Sequence, residues 1–327
     1  MLKFPFYVRW VSLKINIRNG RDTFISVKFD LSQNNKSTIK YLLDMKTWLR
    51  IFVFSVLLFI VLAGALLAGF IYKVKNGFPV SYDTEIPDIH FPQNQPAILL
   101  FSKATGYRHG SSIEASKIIF ENVAKRNNWF VYQTEEGGVF NAEQLAKFKV
   151  VIFNNSTGEV INDEQKKVLE DYVINGGSLI GVHGAGDDSH HWDWYQQNIL
   201  GAKFSHHPLS PQLQEAEVMM EAVRDTILTK DLPVRWTHTD EWYVFFENPR
   251  SKGFTIIYTI NGDKIIPDGN ILWLTDKNFG MGKDHPVAWY RLTGRGRTFY
   301  TSIGHDEAAW KQEPFVRLLE NAIKASL

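Results

Sequence analysis

The sequence predicts an α/β fold: a mostly parallel sheet with helices on both faces, continued by a strand-rich C-terminal half. Three observations lead there. Between positions 97 and 184, short apolar runs alternate with longer amphipathic stretches. The runs are apolar throughout, as strands buried on both faces are. Their spacing leaves room for a helix between successive strands, which implies right-handed crossovers and a parallel sheet.

Taken in order, Ala97–Lys103 (AILLFSK) reads as the first buried strand. Ser111–Asn127 sets Ile113, Ile118, Ile119, Phe120 and Val123 among charges, a helical pattern. Trp129–Thr134 is a strand, Ala142–Phe148 a short helix and Val150–Asn155 another buried strand. Asn162–Ile174 is a helix with Asn162 as its N-cap and Gly176-Gly177 as its stop. Ser178–Gly184 is the fourth strand. From Glu215 the segments EVMM, YVFF, FTIIYTI, ILWLT and RTFYTSI read as strands, and a helix from Glu313 to Ala325 closes the chain.

The N-terminal part is of another kind. Residues 51–71 carry no charge and one serine. A helix of that length spans about 31 Å, close to the hydrocarbon thickness of a bilayer. Trp48 and Tyr72 stand at its edges, Lys46 and Arg50 before it, Lys73 and Lys75 after it. This reads as an uncleaved signal anchor in a single-pass membrane protein. The basic excess before it places the N-terminus in the cytoplasm and the rest periplasmic or extracellular. Residues 1–50 then form a basic cytoplasmic tail. Residues 1–44 read either as a small disordered tail or as an upstream translation artefact, because Met45-Lys46-Thr47 resembles a natural start. Residues 72–96, with Gly77, Pro79, Pro87, Pro92 and Pro96, form a linker to a domain over 97–327.

Composition excludes several functions. The 327 residues include no cysteine, so thiolate catalysis, thiolate metal sites, iron–sulfur clusters and disulfides are out. Residues 1–50 hold ten Lys/Arg against three Asp/Glu, an excess of seven. With an overall charge of +1, the remainder stands at −6. The folded part has no basic excess to offer nucleic acid.

Candidate chemistry gathers where ligands do in parallel sheets, at the carboxyl ends of strands. The first strand runs into KATGYRHGS, with Arg108 and His109. The fourth runs into GVHGAGDDSHHW, with His183 between glycines and Asp187 four residues on, a loosened nucleophile-elbow layout. The last runs into SIGHDEAAW, with His305, Asp306 and Glu307. HTDEWYVFF adds Asp240, Glu241 and Tyr243, GAKFSHHP adds His207, and WDWY adds Trp192; His285, before a proline, reads as shaping a turn. The expected site is one polar cleft. His183 and His305 are its proton carriers, with Asp306 or Glu307 fixing the tautomer of His305 and with Asp240 and His109 as further catalytic groups. Arg108, Asp187, His207, Trp192, Glu241 and Tyr243 would bind substrate. Three imidazoles and a carboxylate would also suffice for a divalent metal. Adjacent carboxylates such as Asp240 and Glu241 point to opposite faces of a strand, which disfavours a two-carboxylate glycosidase unless a turn breaks the alternation.

The ordered motifs GYRHGSS, GVHGAGDD, WDWY, GAKFSHHP, HTDEWYVF, DHPVAWYR and GRGRTFYTSIGHD make residues 96–327 similar to the ThuA-like (trehalose-utilisation) family. That resemblance implies a flavodoxin-like sheet of the class I glutamine amidotransferase type. The amidotransferases carry cysteine at the elbow and a later H-x-E base. Here the elbow position matches His183, and His305-Asp306-Glu307 resembles the H-x-E. Without cysteine, amidotransferase chemistry is excluded. The resemblance implies carbohydrate catabolism and a sugar or keto-sugar ligand, handled by isomerase, hydratase, lyase or hydrolase chemistry. The alternative is a non-catalytic, membrane-tethered carbohydrate-binding module. Seven of the ten tryptophans lie between Trp192 and Trp310, a supply of faces suited to sugars.

Overall fold

The computed structural model describes residues 35–76, 82–271 and 274–327. Most of the expected basic tail, the linker segment around Pro79, and Leu272-Trp273 of the ILWLT run lie outside the described residues. The first element, α1 (Asn35–Asn76), is twice as long as the apolar run that announces it. Within it, Asp44–Lys73 has a mean hydropathy of 3.0 and is long and apolar enough to cross a membrane. Its large apolar side chains, Phe52, Phe59 and Leu66 among them, are exposed.

The remaining elements follow in order. They are β1 (Ala97–Phe101), α2 (Gly110–Asn127), β2 (Phe130–Thr134), α3 (Ala142–Leu145), β3 (Phe148–Asn154), α4 (Asp163–Ile174), β4 (Ser178–Val182), α5 (Asp193–Tyr195), β5 (Phe204–His206), β6 (Gln214–Met220), β7 (Arg235–Asp240), β8 (Val244–Phe245), β9 (Thr255–Ile260), β10 (His285–Thr293), β11 (Gly296–Thr301) and α6 (Glu313–Lys324). Local chemistry sets several boundaries. Asn162 and Gln165 form a reciprocal capping box at the start of α4, with Asp163 and Glu164 in the dipole-favoured first turn. Asn128, in the left-handed region, ends α2.

Nine strands form one sheet in the order β2-β1-β3-β4-β11-β10-β9-β6-β7; β5 and β8 pair separately. The first five are parallel. The other four continue the sheet antiparallel. The sheet is therefore mixed, and the expectation of a mostly parallel sheet holds for its N-terminal half. The break comes at the tight β10–β11 connection, where Gly294 takes φ +62° and reverses the chain.

The inner parallel strands β1, β3 and β4 bury both faces, with β2 half-buried at the edge, and alternate residues serve two cores. Ile98, Leu100, Ile152 and Ile180 pack with Phe120 and Val123 of α2 and Phe315 and Leu318 of α6. Leu99, Phe101, Val151 and Phe153 pack on the other side with Leu169 and Val173 of α4 and with Tyr195 and Ile199. Helices thus cover both faces.

Four sequence expectations need correction. YVFF contributes only Val244 and Phe245 to a strand. Of ILWLT, the described residues Ile271, Leu274 and Thr275 lie in no strand. His285 shapes no turn: it opens β10, buried, with Nε2 2.9 Å from the Tyr243 carbonyl. Pro286 is accommodated because the register with β9 slips between Pro286 and Ala288, so the absent N–H breaks no regular ladder. Residues 82–96 contain no helix or strand, yet they are docked rather than free. Asp83 binds Lys103 and accepts from Gly137 N at 3.2 Å. Gln144 donates to Pro87 O, and Phe91 packs edge-on against Phe130 and Phe148.

The strand directions bring β1, β4, β11 and β7 to a common carboxyl edge. In a flat sheet β7 would lie four strand spacings from β11, about 19 Å. Instead the β6–β7 hairpin meets β9 over a short stretch, with Met219 and Met220 paired to it and Glu221 N donating to Ile257 O. Asp240, at the end of β7, accepts from Gly304 N at 2.8 Å and His305 N at 3.1 Å. The far end of the sheet curls back over the carboxyl edge.

Candidate functional site: a buried histidine–carboxylate cluster

His183 follows β4 directly and is fully buried, with φ +43°. A left-handed histidine costs roughly 1–2 kcal/mol and persists only where its surroundings fix it. Here the Tyr300 hydroxyl donates to His183 O at 2.9 Å, and Gly184 N donates to Asn155 Oδ1 at 3.1 Å. Gly184 must be glycine, because a Cβ would stand 2.9 Å from His109 Nδ1. The His183 Nδ1 lies 2.6 Å from the Ser302 carbonyl, which only accepts, so Nδ1 carries the proton. Nε2 is left with its lone pair, 3.2 Å from His305 Nδ1 and 3.4 Å from Glu241 Oε2.

Glu241 organises the rest. It follows β7, is 2 % exposed, and its Oε2 lies 3.1 Å from His305 Nδ1. Its Oε1 lies 2.9 Å from His207 Nδ1 and accepts from Gln212 Nε2 at 2.5 Å. Burial alone would push this carboxyl up, but the imidazoles of His183, His207 and His305 gathered around it hold it far below the usual carboxylate range. Burial likewise works against charge on His207 and His305, and Glu241 outweighs it, raising both. The His109 ring lies 4.8 Å from that of His183 and 5.1 Å from that of His305. Burial, with the neighbouring imidazoles, pushes it well below the histidine range, and its buried Nδ1 has no partner. His109, His183, His305 and Glu241 each offer a ligand atom, all within 4.8 Å of one another.

The turn after β7 breaks the strand alternation, so both carboxylates reach the same region in different roles. Asp240 binds backbone: Oδ1 takes Glu241 N and His305 N, and Oδ2 takes Gly304 N and His238 Nε2. Burial is outweighed by His238, His183 and these amides, leaving Asp240 below its usual value. It holds the His305 turn rather than facing the imidazoles. The Tyr243 ring packs 4.4 Å from that of His183.

The other expected residues are placed differently. Arg108 is committed to Glu135 through two 2.8 Å bonds. Trp192 stacks on Trp194 and Tyr195 and donates to Glu170 at 2.9 Å. Asp187 is held by Ser189 in the turn after β4, and burial pushes its carboxyl up to about 7 against those bonds. The tautomer of His305 is governed by Glu241 and His183: Asp306 caps Ala308 N, and Glu307 pairs with Lys311. The expected open cleft is a closed cluster, reached by solvent at His305 and His207, whose side chains are 14 % and 31 % exposed. Surface cavities of about 470, 450 and 220 Å³ lie elsewhere and include none of its residues. Sequence reading missed Gln212, Ser302 and Asn155.

Fold and site define a class: an α/β protein with imidazoles and one carboxylate converging at the carboxyl edge of a mixed sheet. Residues 97–324 match the ThuA family, described as trehalose utilisation. The chain belongs to that family, which ties it to carbohydrate. A ThuA-like protein from Bacteroides uniformis ATCC 8492 superposes with a TM-score of 0.59 at 20 % identity, covering 76 % of this chain and 95 % of that one. One from Parabacteroides merdae ATCC 43184 gives 0.53 at 19 % identity, covering 71 % and 90 %. At these identities the likeness is one of fold. Comparison with curated proteins gives no match.

Proposed function

We propose that this protein acts on a sugar or keto-sugar by acid–base chemistry at the His183–His305–Glu241 cluster. The observation that carries the reading is the approach of His183 Nε2 to His305 Nδ1, 3.2 Å, beside a buried carboxylate. With Nδ1 bonded to Ser302 O, the His183 Nε2 lone pair is free to take a proton from a carbon beside a carbonyl. His305, partly open to solvent, returns a proton to carbon or oxygen, and Glu241 stabilises whichever ring is charged. Reprotonation at another carbon isomerises the sugar; loss of a substituent from the next carbon cleaves it. His109 and Tyr243 keep the site dry, and Asp240 is a positioning residue.

The parallel strands in the order β2-β1-β3-β4-β11 support a flavodoxin-like reading of this half of the sheet. The apolar stretch of α1 supports a single-pass anchor, N-terminus inside, with the domain beyond the membrane. C-terminal alkaline phosphatase should be active if so, and a reporter active only in the cytoplasm would reverse that topology.

The reaction is tested by incubating the full chain with a panel of keto-glycosides and their parent glycosides. Turnover confined to keto-sugars and lost in His183→Asn supports it; no turnover of any member refutes it. A second reading has its own support, the four ligand atoms within 4.8 Å. Nitrogen and carboxylate donors in that number suit a divalent cation, which would polarise a carbonyl or hydroxyl oxygen. Activity restored by Zn²⁺ or Mn²⁺ after chelation would favour it; activity indifferent to chelator favours the direct proton carriers.

A further inference from the structure

We infer that the exposed ring of Tyr107 is a stacking platform for a second sugar ring, so that the site favours glycosides of two or more rings over single sugars. The inference rests on the carbohydrate reading above. The loop between β1 and α2 is firmly held. Thr105 N and Gly106 N both donate to Thr157 O, at 2.8 and 3.2 Å, and Thr157 Oγ1 donates to Tyr107 O at 2.7 Å. Thr105 Oγ1 donates to Glu159 O at 3.2 Å, and a Cβ on Gly106 would meet Thr157 Oγ1 at 3.1 Å. A loop fixed so closely nevertheless leaves Tyr107 46 % exposed. The next residue, Arg108, is drawn off by Glu135.

Position gives that exposed ring its use. It meets His109 edge to face at 4.8 Å, and His109 lies 4.8 and 5.1 Å from His183 and His305. Tyr107 is therefore at most about 10 Å from either proton carrier, two ring-to-ring steps of the kind aromatic pairs make. A sugar handled at His183 and His305 that extends past His109 brings its neighbour over Tyr107. The CH face of a pyranose packs on an aromatic face, and a loop whose backbone is already fixed loses little further entropy on binding.

The test is binding of trehalose and of glucose to the full chain, followed by ligand-observed NMR in a detergent without a sugar headgroup. Wild type should bind trehalose more tightly than glucose. Tyr107→Ala should weaken trehalose roughly three- to tenfold with glucose unchanged, the range expected for one aromatic contact. Tyr107→Phe should keep the preference, since the face and not the hydroxyl is used. Unaltered trehalose binding in Tyr107→Ala, with wild type binding well, overturns the platform alone. Wild type that binds neither trehalose nor glucose overturns this inference; it overturns the carbohydrate reading as well only if the keto-glycoside panel also gives no turnover.

Discussion

Replacing Glu241 by glutamine keeps the shape of the side chain and removes its charge. Oε1 of the carboxylate receives His207 and Gln212, and Oε2 faces His305 and His183. An amide can put its oxygen toward His207 and Gln212, both donors, and its NH₂ then faces the imidazole pair. It would occupy the Nε2 lone pair of His183 and give His305 nothing to donate to. Hydrogen bonds to charged groups contribute about 1.5–3 kcal/mol each against about 1 for neutral ones. Weakening those from His207 and His305 should cost about 2–3 kcal/mol in all. For a domain of this size that lowers Tm by roughly 5–10 °C. Thermal unfolding of the full chain reads it directly. Turnover of the responsive keto-sugar should fall at least about a hundredfold, the scale of losing a general base. Glu241→Ala, leaving buried donors unpaired, should be worse still, about 3–5 kcal/mol. A Glu241→Gln protein as stable as wild type, or more stable, would refute an ionised, accepting carboxylate at this position.

Three other outcomes follow from the same geometry. His183→Asn should abolish turnover while costing less stability than His183→Val, because asparagine tolerates positive φ and a β-branched residue does not; equal melting temperatures for the two would argue against the left-handed turn. Asp240→Asn should lower stability by about 3–5 kcal/mol in urea unfolding, because every orientation of the amide turns its NH₂ onto two donors among Glu241 N, His305 N, Gly304 N and His238; a neutral effect would remove its role in holding the His305 turn. Away from the site, Glu320 is 2 % exposed; burial is outweighed by Arg126, Lys324 and Asn127, which hold its carboxyl at about 2. Its contribution is present above a pH of about 4.5 and is lost as pH falls toward 2. With Arg126 and Lys324 48 % and 36 % exposed it amounts to about 2 kcal/mol. The stability gap between wild type and Glu320→Gln should therefore narrow as pH falls below about 4.5 and close as it approaches 2, and a gap unchanged at pH 2 would contradict the assignment.

The sequence by itself determined the parallel half of the sheet, because strands buried on both faces are apolar throughout and helices between them carry their own caps and stops. Asn162 with Gln165 is legible at three residues' separation, and so are Gly176 and Gly177 after Ile174. It also placed His183 and His305 each just past a strand, while the pairing of β4 with β11, which brings the two rings together at one edge, was decided by the tertiary structure. Only the tertiary structure decided which carboxylate serves them. Asp306 and Glu307 are near His305 in the chain but turn outward to Ala308 and Lys311. Glu241 arrives from the opposite end of the sheet, because a hairpin joined to its neighbour over a short stretch curls over the carboxyl edge. Such curvature is a property of the whole sheet and leaves no mark on the spacing of residues along any one strand. The same holds for His285, whose proline reads as a turn until the slipped register with β9 shows the missing donor is not needed, and for Arg108, whose charge is taken by Glu135 in the loop just after β2. Local pattern records what a residue's own element requires, whereas the partners of a buried charge are chosen by long-range packing that brings distant elements to one point.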